Sequence, residues 1–599
     1  MMQQNNGIDK NQIIGFIFFT LFLLGVMFYF QKQQTEEVEA IAKTEQAAPK
    51  AKATNVTPAK NINPVTDSTT IETISLKNEK ISVEINGLGG QISSVMMNQY
   101  KAYNKKTNED DLPLYLFSKN NSNYGFQFKD KTGKVINTKD LVFTPQVNGN
   151  AVTMTANANG ATVQFTYTLK GYEVDFQVAT QGLSKIVSGD HANFIWNYRP
   201  RELEKGRSQE QTHTEFNYAF SNYSKTDYDG RTTMEEPDET LNWVSIKQQF
   251  FAPIIESKTG FKNSHGSQEM IEEGEYLKKF DFDGQVALSG GEFNQNFTWY
   301  FLPLDLDLLK SYDKNFDEIL PLGWSFIGWV NRILFIPMYN MISSWGIAAG
   351  WVIFLMTIFV KIVLSPIMYK QHKLSAMMKV IRPEIEEVNA KYKDADPMKR
   401  QQEVMSVYRK AGVNQLAGCL PALLQVPIFY ALFRFFPNMI DLRGKGFWFA
   451  TDLTAYDDVI KLPFHVPFLG DHLSIFALAC TAVLLIYTML TAGNMQQPTQ
   501  EGMPNMKPLM YIFPVMFLFF LNSAASGLSW YYFVSNSINI VIILVIKNWI
   551  LDEKTIHAKI QANKAKPKKE GKFQKRMREM MEKAQEQQKL QEQQRKRKK

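Results

Sequence analysis

Cysteine is nearly missing from this chain of 599 residues: there are two, Cys419 and Cys480. Both fall inside long apolar runs and read as small packing residues. The large polar stretch between the first two runs therefore holds no disulfide, and no zinc-binding spacing occurs. The seven histidines are scattered and none belongs to an HExxH. A GxSxG elbow and a phosphate-cradling GxxxxGK(S/T) loop are also missing, so a zinc protease, a serine hydrolase of that type and a P-loop nucleotidase lack sequence support. Asp305 and Asp307 in "PLDLDLL" come nearest to a carboxylate pair. On an alternating strand or a turn they are simply exposed, and a sugar-acting domain has no convergent acid and base behind it.

The apolar residues, by contrast, are concentrated. Crossing a hydrocarbon core about 30 Å thick takes roughly 20 helical residues. Six segments qualify: one within residues 1–30, then residues 345–364, 416–439, 473–490, 506–522 and 528–546. The reading is a polytopic α-helical membrane protein with six transmembrane helices and a large soluble insert after the first. Residues 1–30 have Lys10 ahead of an apolar core, which fits an uncleaved anchor, with a signal peptide as the alternative.

Lysine and arginine accumulate in cytoplasmic segments. Residues 365–414 hold ten basic residues against six acidic ones, and the tail from Lys547 holds eighteen against seven. The loop Ile440–Asp471 holds three basic and five acidic residues. Placing the tail and the 365–414 segment in the cytoplasm puts both termini inside and the insert outside.

Residues 31–70, rich in Ala, Lys, Thr and Pro, read as a flexible linker. Over 71–318 the pattern has period two: Ile81, Val83 and Ile85 in "KISVEIN"; Val163, Phe165, Tyr167 and Leu169 in "ATVQFTYTL"; Tyr172, Val174, Phe176 and Val178 in "YEVDFQVA". Turn signals "NGLGG", "KTGK" and "VNGN" separate such runs. Together they predict an antiparallel β-sandwich. Residues 319–343 carry Trp324, Trp329, Asn331 and Arg332 among apolar residues, which predicts an amphipathic helix at the outer interface rather than a seventh span. In 365–414 helical spacing flanks "KDADP", which predicts a cytoplasmic αα-hairpin restarting at Pro397. Residues 550–599 form a basic tail.

Polar residues inside the spans carry the functional signal. Lys361 and Thr357 share a helix face in the second span. Gln425 stands between Pro421 and Pro427 in the third, Asn522 ends the fifth, and Ser535, Asn536, Ser537 and Asn539 cluster in the sixth. Such residues face a bundle interior or a wet cavity, or else hydrogen-bond helices together. For Lys361 a third reading is snorkelling to the inner interface. Spacing alone leaves these open.

Three stretches narrow the choice: "GWVIFLMTIFVKIVLSPIMYKQ", "NQLAGCLPALLQVPIFYALF" and "MYIFPVMFLFFLNSAASGLSWYYFVSN". Their order and composition resemble the YidC/Oxa/Alb family of membrane insertases, most strongly over residues 324–549. The anchor followed by a β-rich insert resembles the form with a periplasmic β-supersandwich. The resemblance implies a five-helix insertase core (344–549) around a hydrophilic groove, with no enzymatic chemistry and no cofactor. It implies groove positions at Lys361, Thr357 and Tyr532, and apolar slide positions for a nascent span at Phe429 and Phe520. Gln425, Ser535 and Asn536 join the groove by their place in the spans. Lysine stands at 361 where the family has arginine, keeping the charge and losing the bidentate fork. The implied setting is the bacterial inner membrane. The implied partners are nascent membrane proteins, the ribosome through the hairpin and basic tail, the Sec translocon with its accessory subunits, the signal recognition particle pathway and membrane lipids. A secondary transporter is the alternative function, for which inverted repeats with broken helices would be the mark.

Overall fold

The computed structural model describes residues 72–564 except 230–232, 237, 324, 393–396, 414–419, 468, 493–505, 547 and 549–552. The predicted anchor and linker, Trp324, Cys419 and the tail beyond Lys564 lie outside the described residues.

Residues 73–303 form β structure, with short helical segments between some strands. Alternation decides which side chains go inside: Ile81, Val83 and Ile85 are fully buried, as are Val174 and Phe176. Strands Thr73–Lys77, Ile81–Asn86, Ile92–Asn104 and Glu109–Phe117 make a four-stranded antiparallel sheet. A fourteen-stranded sheet holds the other strands of this region. Its twenty-residue strand Phe251–Met270 bends sharply. The first part pairs with Gln295–Pro303 and the second with Lys278–Ala287, with a register shift between Lys262 and His265. Gly260 lies near this bend with φ +78°, and a Cβ there would stand 2.3 Å from Thr240 Cγ2. The bend lets strands far apart in the sheet order meet. Ser122–Lys129 and Ala161–Lys170 are separated by five intervening strands, yet Tyr124 and Tyr167 share a hydrogen bond of 3.0 Å. Phe126 also meets Phe165 and Phe176 across the same space. Asp305 and Asp307 are on neither a strand nor a bare turn. Asp305 caps the short helix Leu306–Ser311 by accepting from the Leu308 amide, because a carboxylate satisfies an orphan N–H of a first turn.

Ser325–Val330 and α1 (Ile336–Ser343) flank a π turn, Asn331–Phe335. Pro337 has no amide to bond the Ile333 carbonyl, which accounts for the widened turn just before it. Asn331 is buried and donates to the Leu322 and Ala431 carbonyls, while Phe326, Trp329, Ile333 and Met341 stay exposed.

The helical part follows as α2 (Ala349–Lys391), α3 (Pro397–Ala411), α4 (Leu420–Phe435), α5 (Ile475–Ala492), α6 (Met506–Asn522), α7 (Ser526–Val545) and α8 (Glu553–Lys564). The second span is expected over residues 345–364, and the helix that carries it is longer than a span. α2 continues for 43 residues through Pro366 and Pro383 into the first arm of the hairpin. Pro366 leaves the Ile362 carbonyl without its amide, and the Ser365 hydroxyl donates to that oxygen at 2.8 Å. α4 ends at Phe435, short of the expected 439, because Pro437 tightens the chain into a 3-10 turn. α2 and α7 are long and apolar enough to cross a membrane, and α5 and α6 are shorter apolar helices. At the far end of α2, Met377, Ile381 and Ile385 pack with Tyr408 of α3 and with Ile556 and Ile560 of α8.

The β region sits on the loop between α4 and α5. Arg443 is buried with Glu204, its Nε 2.9 Å from each carboxylate oxygen, and its guanidinium covers the rings of Phe250 and Phe251. Lys205 pairs with Asp458 at 2.6 Å, and Gln249 donates to the Pro437 carbonyl at 2.6 Å.

Candidate functional site

α2 carries Thr357 and Lys361 one turn apart, and both are buried. The Thr357 hydroxyl is satisfied by its own helix, donating to the Ile353 carbonyl at 2.7 Å. Lys361 has no such local partner. Its ammonium reaches across to α7 and donates to Asn539 Oδ1 at 2.9 Å. Asn539 in turn donates to Asn536 Oδ1 at 3.4 Å. Among the described residues no carboxylate pairs with Lys361, so the cation is held by a neutral amide. Its side chain is 5% exposed, which a snorkelling lysine would not be.

α7 supplies the opposite wall, because its apolar sequence is interrupted at helical intervals by Ser529, Tyr532, Ser535, Asn536 and Asn539. Ser535 and Asn536 are buried, and Cys480 of α5 lies beside Asn536. The hydroxyls of Tyr532 and Ser529 are buried without a hydrogen bond among the described residues. Gln425 of α4, half-buried, is the polar neighbour of Tyr532. Buried polar atoms left unpaired by protein call for water.

One turn beyond Gln425, Phe429 begins an aromatic strip. Its ring lies 5.7 Å from both Phe517 and Phe520 of α6, 6.3 Å from Phe433 and 5.4 Å from Tyr532. Phe433 and Phe520 also meet, at 5.4 Å. Phe520 is 42% exposed, so the strip opens to the outside along α4 and α6. Tyr532 thus touches both parts, presenting its ring to the strip and its hydroxyl to the polar groups.

Of the expected site residues, the structure brings Lys361 near Asn536 through Asn539, and Gln425 and Phe429 to Tyr532, with Phe520 packed on Phe429. Thr357 shares the Lys361 face without a side-chain bond to the others. Sequence reasoning passed over Asn539 as the lysine's partner, and Phe433 and Phe517 as members of the strip. The signal for the phenylalanines was present, since 429 and 433 are four apart and 517 and 520 three apart. Nothing local marks which of the α7 amides faces α2.

Two family models cover these regions. The one described as YidC periplasmic domain matches residues 73–337, and the one described as 60Kd inner membrane protein matches residues 338–554. A membrane protein insertase YidC from Parabacteroides distasonis is 36% identical over 86% of this chain and 83% of its own. Another from Bacteroides fragilis is 32% identical over 96% of this chain and 98% of its own. A galactose mutarotase-like protein of known structure from Lactobacillus casei reaches a TM-score of 0.26 at 11% identity, over 39% of this chain and all of that one. That likeness is too slight to bear on the β region's fold or chemistry. None of these similarities supports a transporter. With both halves matched and relatives alike nearly end to end, the chain belongs to the YidC family of membrane protein insertases.

Proposed function

We infer that this chain inserts nascent inner-membrane proteins through a hydrated groove lined by Lys361, Thr357, Gln425, Tyr532, Ser535 and Asn536, with Phe429 and Phe520 as the slide for the incoming span. The observation that carries this is the place of Tyr532: its ring packs on an aromatic strip that opens outward at Phe520, and it shares α7 with Asn536 and Asn539, the latter holding the buried Lys361 ammonium. A client with an apolar span and a polar flank presents the same two chemistries. Water around the polar groups lowers the cost of bringing a short polar segment partway across. Burial of the new span in lipid supplies the driving force. No covalent step is needed.

The same reading has six spans, the last five forming the core, and a β-sandwich made by the sheet folding over its own aromatic face. It puts the termini and the α2–α3 hairpin in the cytoplasm and the β domain in the periplasm, from the charge asymmetry of the loops. The ribosome at the hairpin and tail, the Sec translocon and the signal recognition particle pathway are the partners this orientation suits.

The test is site-specific photocrosslinking to a ribosome-stalled client. Probes at Phe429 and Phe520 should capture the client's apolar segment, and probes at Thr357 and Tyr532 its polar flank. The exposed Ile486 of α5 should capture neither. Crosslinks of equal strength at Ile486 and Phe429 would remove the slide from the mechanism.

A further inference from the structure

Between α4 and α5 the chain makes a two-stranded hairpin, Ile460–Val466 with Gly470–Leu473. Its first strand alternates: Ile460, Leu462, Phe464 and Val466 are apolar, while Lys461 and His465 are polar, with Pro463 between them. In a soluble hairpin the apolar set would be covered. Here Phe464 is 66% exposed and Ile460 is exposed beside it, as is the preceding Val459. An isolated two-stranded hairpin is marginal in water, so this one needs support.

Its position follows from the helix ends. Leu473, opposite Ile460, lies two residues before α5 begins. Asn522, the last residue of α6, donates to the Leu469 and His472 carbonyls and accepts from the Ser474 amide. Asp457 accepts from the Ser474 hydroxyl and the Ile475 amide. Asn522, a polar residue with no part in the groove, therefore pins the hairpin across the ends of α5 and α6. At the same level Trp448, 64% exposed, packs against Trp530 near the start of α7, and exposed Trp345 and Trp351 flank the start of α2. Aromatic residues gather at the boundary between hydrocarbon and headgroups.

We propose that the 460–473 hairpin is a membrane-surface element, with Phe464, Ile460 and Val459 seated in the lipid interface on the β-domain side, continuous with the tryptophan belt. The occupant of this apolar surface is lipid, because the hairpin is held at the ends of helices that enter the bilayer. Lys461 and His465, on the alternate positions, suit the headgroup layer.

The inference rests on α5 and α6 crossing the membrane, and the experiment separates the two. In the full chain with Cys419→Ala and Cys480→Ala, single cysteines replacing Phe464, Phe513 and Val147 carry an environment-sensitive fluorophore in proteoliposomes. Phe513 is an exposed α6 position and Val147 an exposed β-domain position. The expected result is blue-shifted emission at 464 and 513, quenched by doxyl-labelled lipid, with iodide quenching only 147. Quenching of 513 by lipid but of 464 by iodide would overturn the hairpin's membrane seat. Iodide quenching at 513 would instead remove the spanning reading beneath it. Protection of 464 from both quenchers, with concentration-dependent crosslinking between copies, would assign the surface to a second copy and also overturn the proposal.

Discussion

Replacing Lys361 separates a charge that acts on clients from one that merely holds helices. The ammonium has one described partner, a neutral amide at 2.9 Å, so its field is not cancelled by a carboxylate. An acidic client side chain passing about 8 Å away, at an effective dielectric near 20, gains roughly 2 kcal/mol, or about 30-fold in relative occupancy. Lys361→Gln should therefore slow insertion of a client with an acidic translocated tail by about 5- to 30-fold, water in the groove setting the lower figure. A matched client with a neutral tail should be affected much less. Lys361→Arg should be tolerated, and Lys361→Glu should be worst for the acidic client. Folding should not suffer in parallel, because removing a buried charge also removes its desolvation cost of several kcal/mol. The assay is protease accessibility of the two tails after synthesis into proteoliposomes, with thermal unfolding of each variant alongside. Equal activity of Lys361→Ala on both clients would refute the argument and leave the lysine as a helix-packing residue.

Arg443→Ala should cost up to about 3–5 kcal/mol in thermal unfolding at pH 8, where it strands an ionised Glu204 in the buried contact between the β domain and the α4–α5 loop, and much less at pH 5, where Glu204 is protonated; replacing both residues by methionine should cost much less than the single change at pH 8. The same contact should depend on pH. Burial, opposed by Arg443 and reinforced by Asp452 and Asp110, pushes the Glu204 carboxyl up to about 7 from 4.5. Docking then takes up a proton, so the contact is tightest below 4.5 and weakens as pH rises toward 7, which hydrogen exchange over residues 199–210 and 440–458 reads directly. Removing Asn78–Asp307 together with Arg443→Gln should leave insertion of one-span clients intact, measured by the same protease assay. Deleting the tail after residue 564 should weaken ribosome co-sedimentation at low salt and have less effect at high salt, as contacts to phosphates do.

The β region was legible because period-two alternation is a local property: Ile81, Val83 and Ile85 are buried as their spacing says. What local pattern could not convey was the bend in Phe251–Met270. Beside it Gly260 has φ +78°, and a Cβ there would meet the Thr240 side chain, a neighbour that only the folded chain brings close. The apolar runs were legible by length, yet the end of α2 was not. Pro366, just after Ser365, deprives the Ile362 carbonyl of its amide partner, which ordinarily ends or kinks a helix. The remedy lies in the serine itself, whose hydroxyl takes the Ile362 carbonyl and lets the helix run on. Likewise Asn331 read as a polar interruption of an interfacial helix, whereas its amide is used up on two backbone carbonyls against α4.

The site itself divides along the same line. That Lys361 is unusual could be read from its neighbours in sequence, but not what it meets, because Asn539 is 178 residues away. The partner's chemistry carries the mechanism. A carboxylate at 539 would make a buried ion pair, neutral from a distance and indifferent to client charge. An amide orients the ammonium without neutralising it and leaves the positive potential available to whatever enters. Asn539→Asp should therefore keep Lys361 in place and abolish the preference for acidic tails, whereas Asn539→Gln should preserve it. The matched-client assay distinguishes these. An undiminished acidic preference in Asn539→Asp would mean that the potential at the groove arises elsewhere.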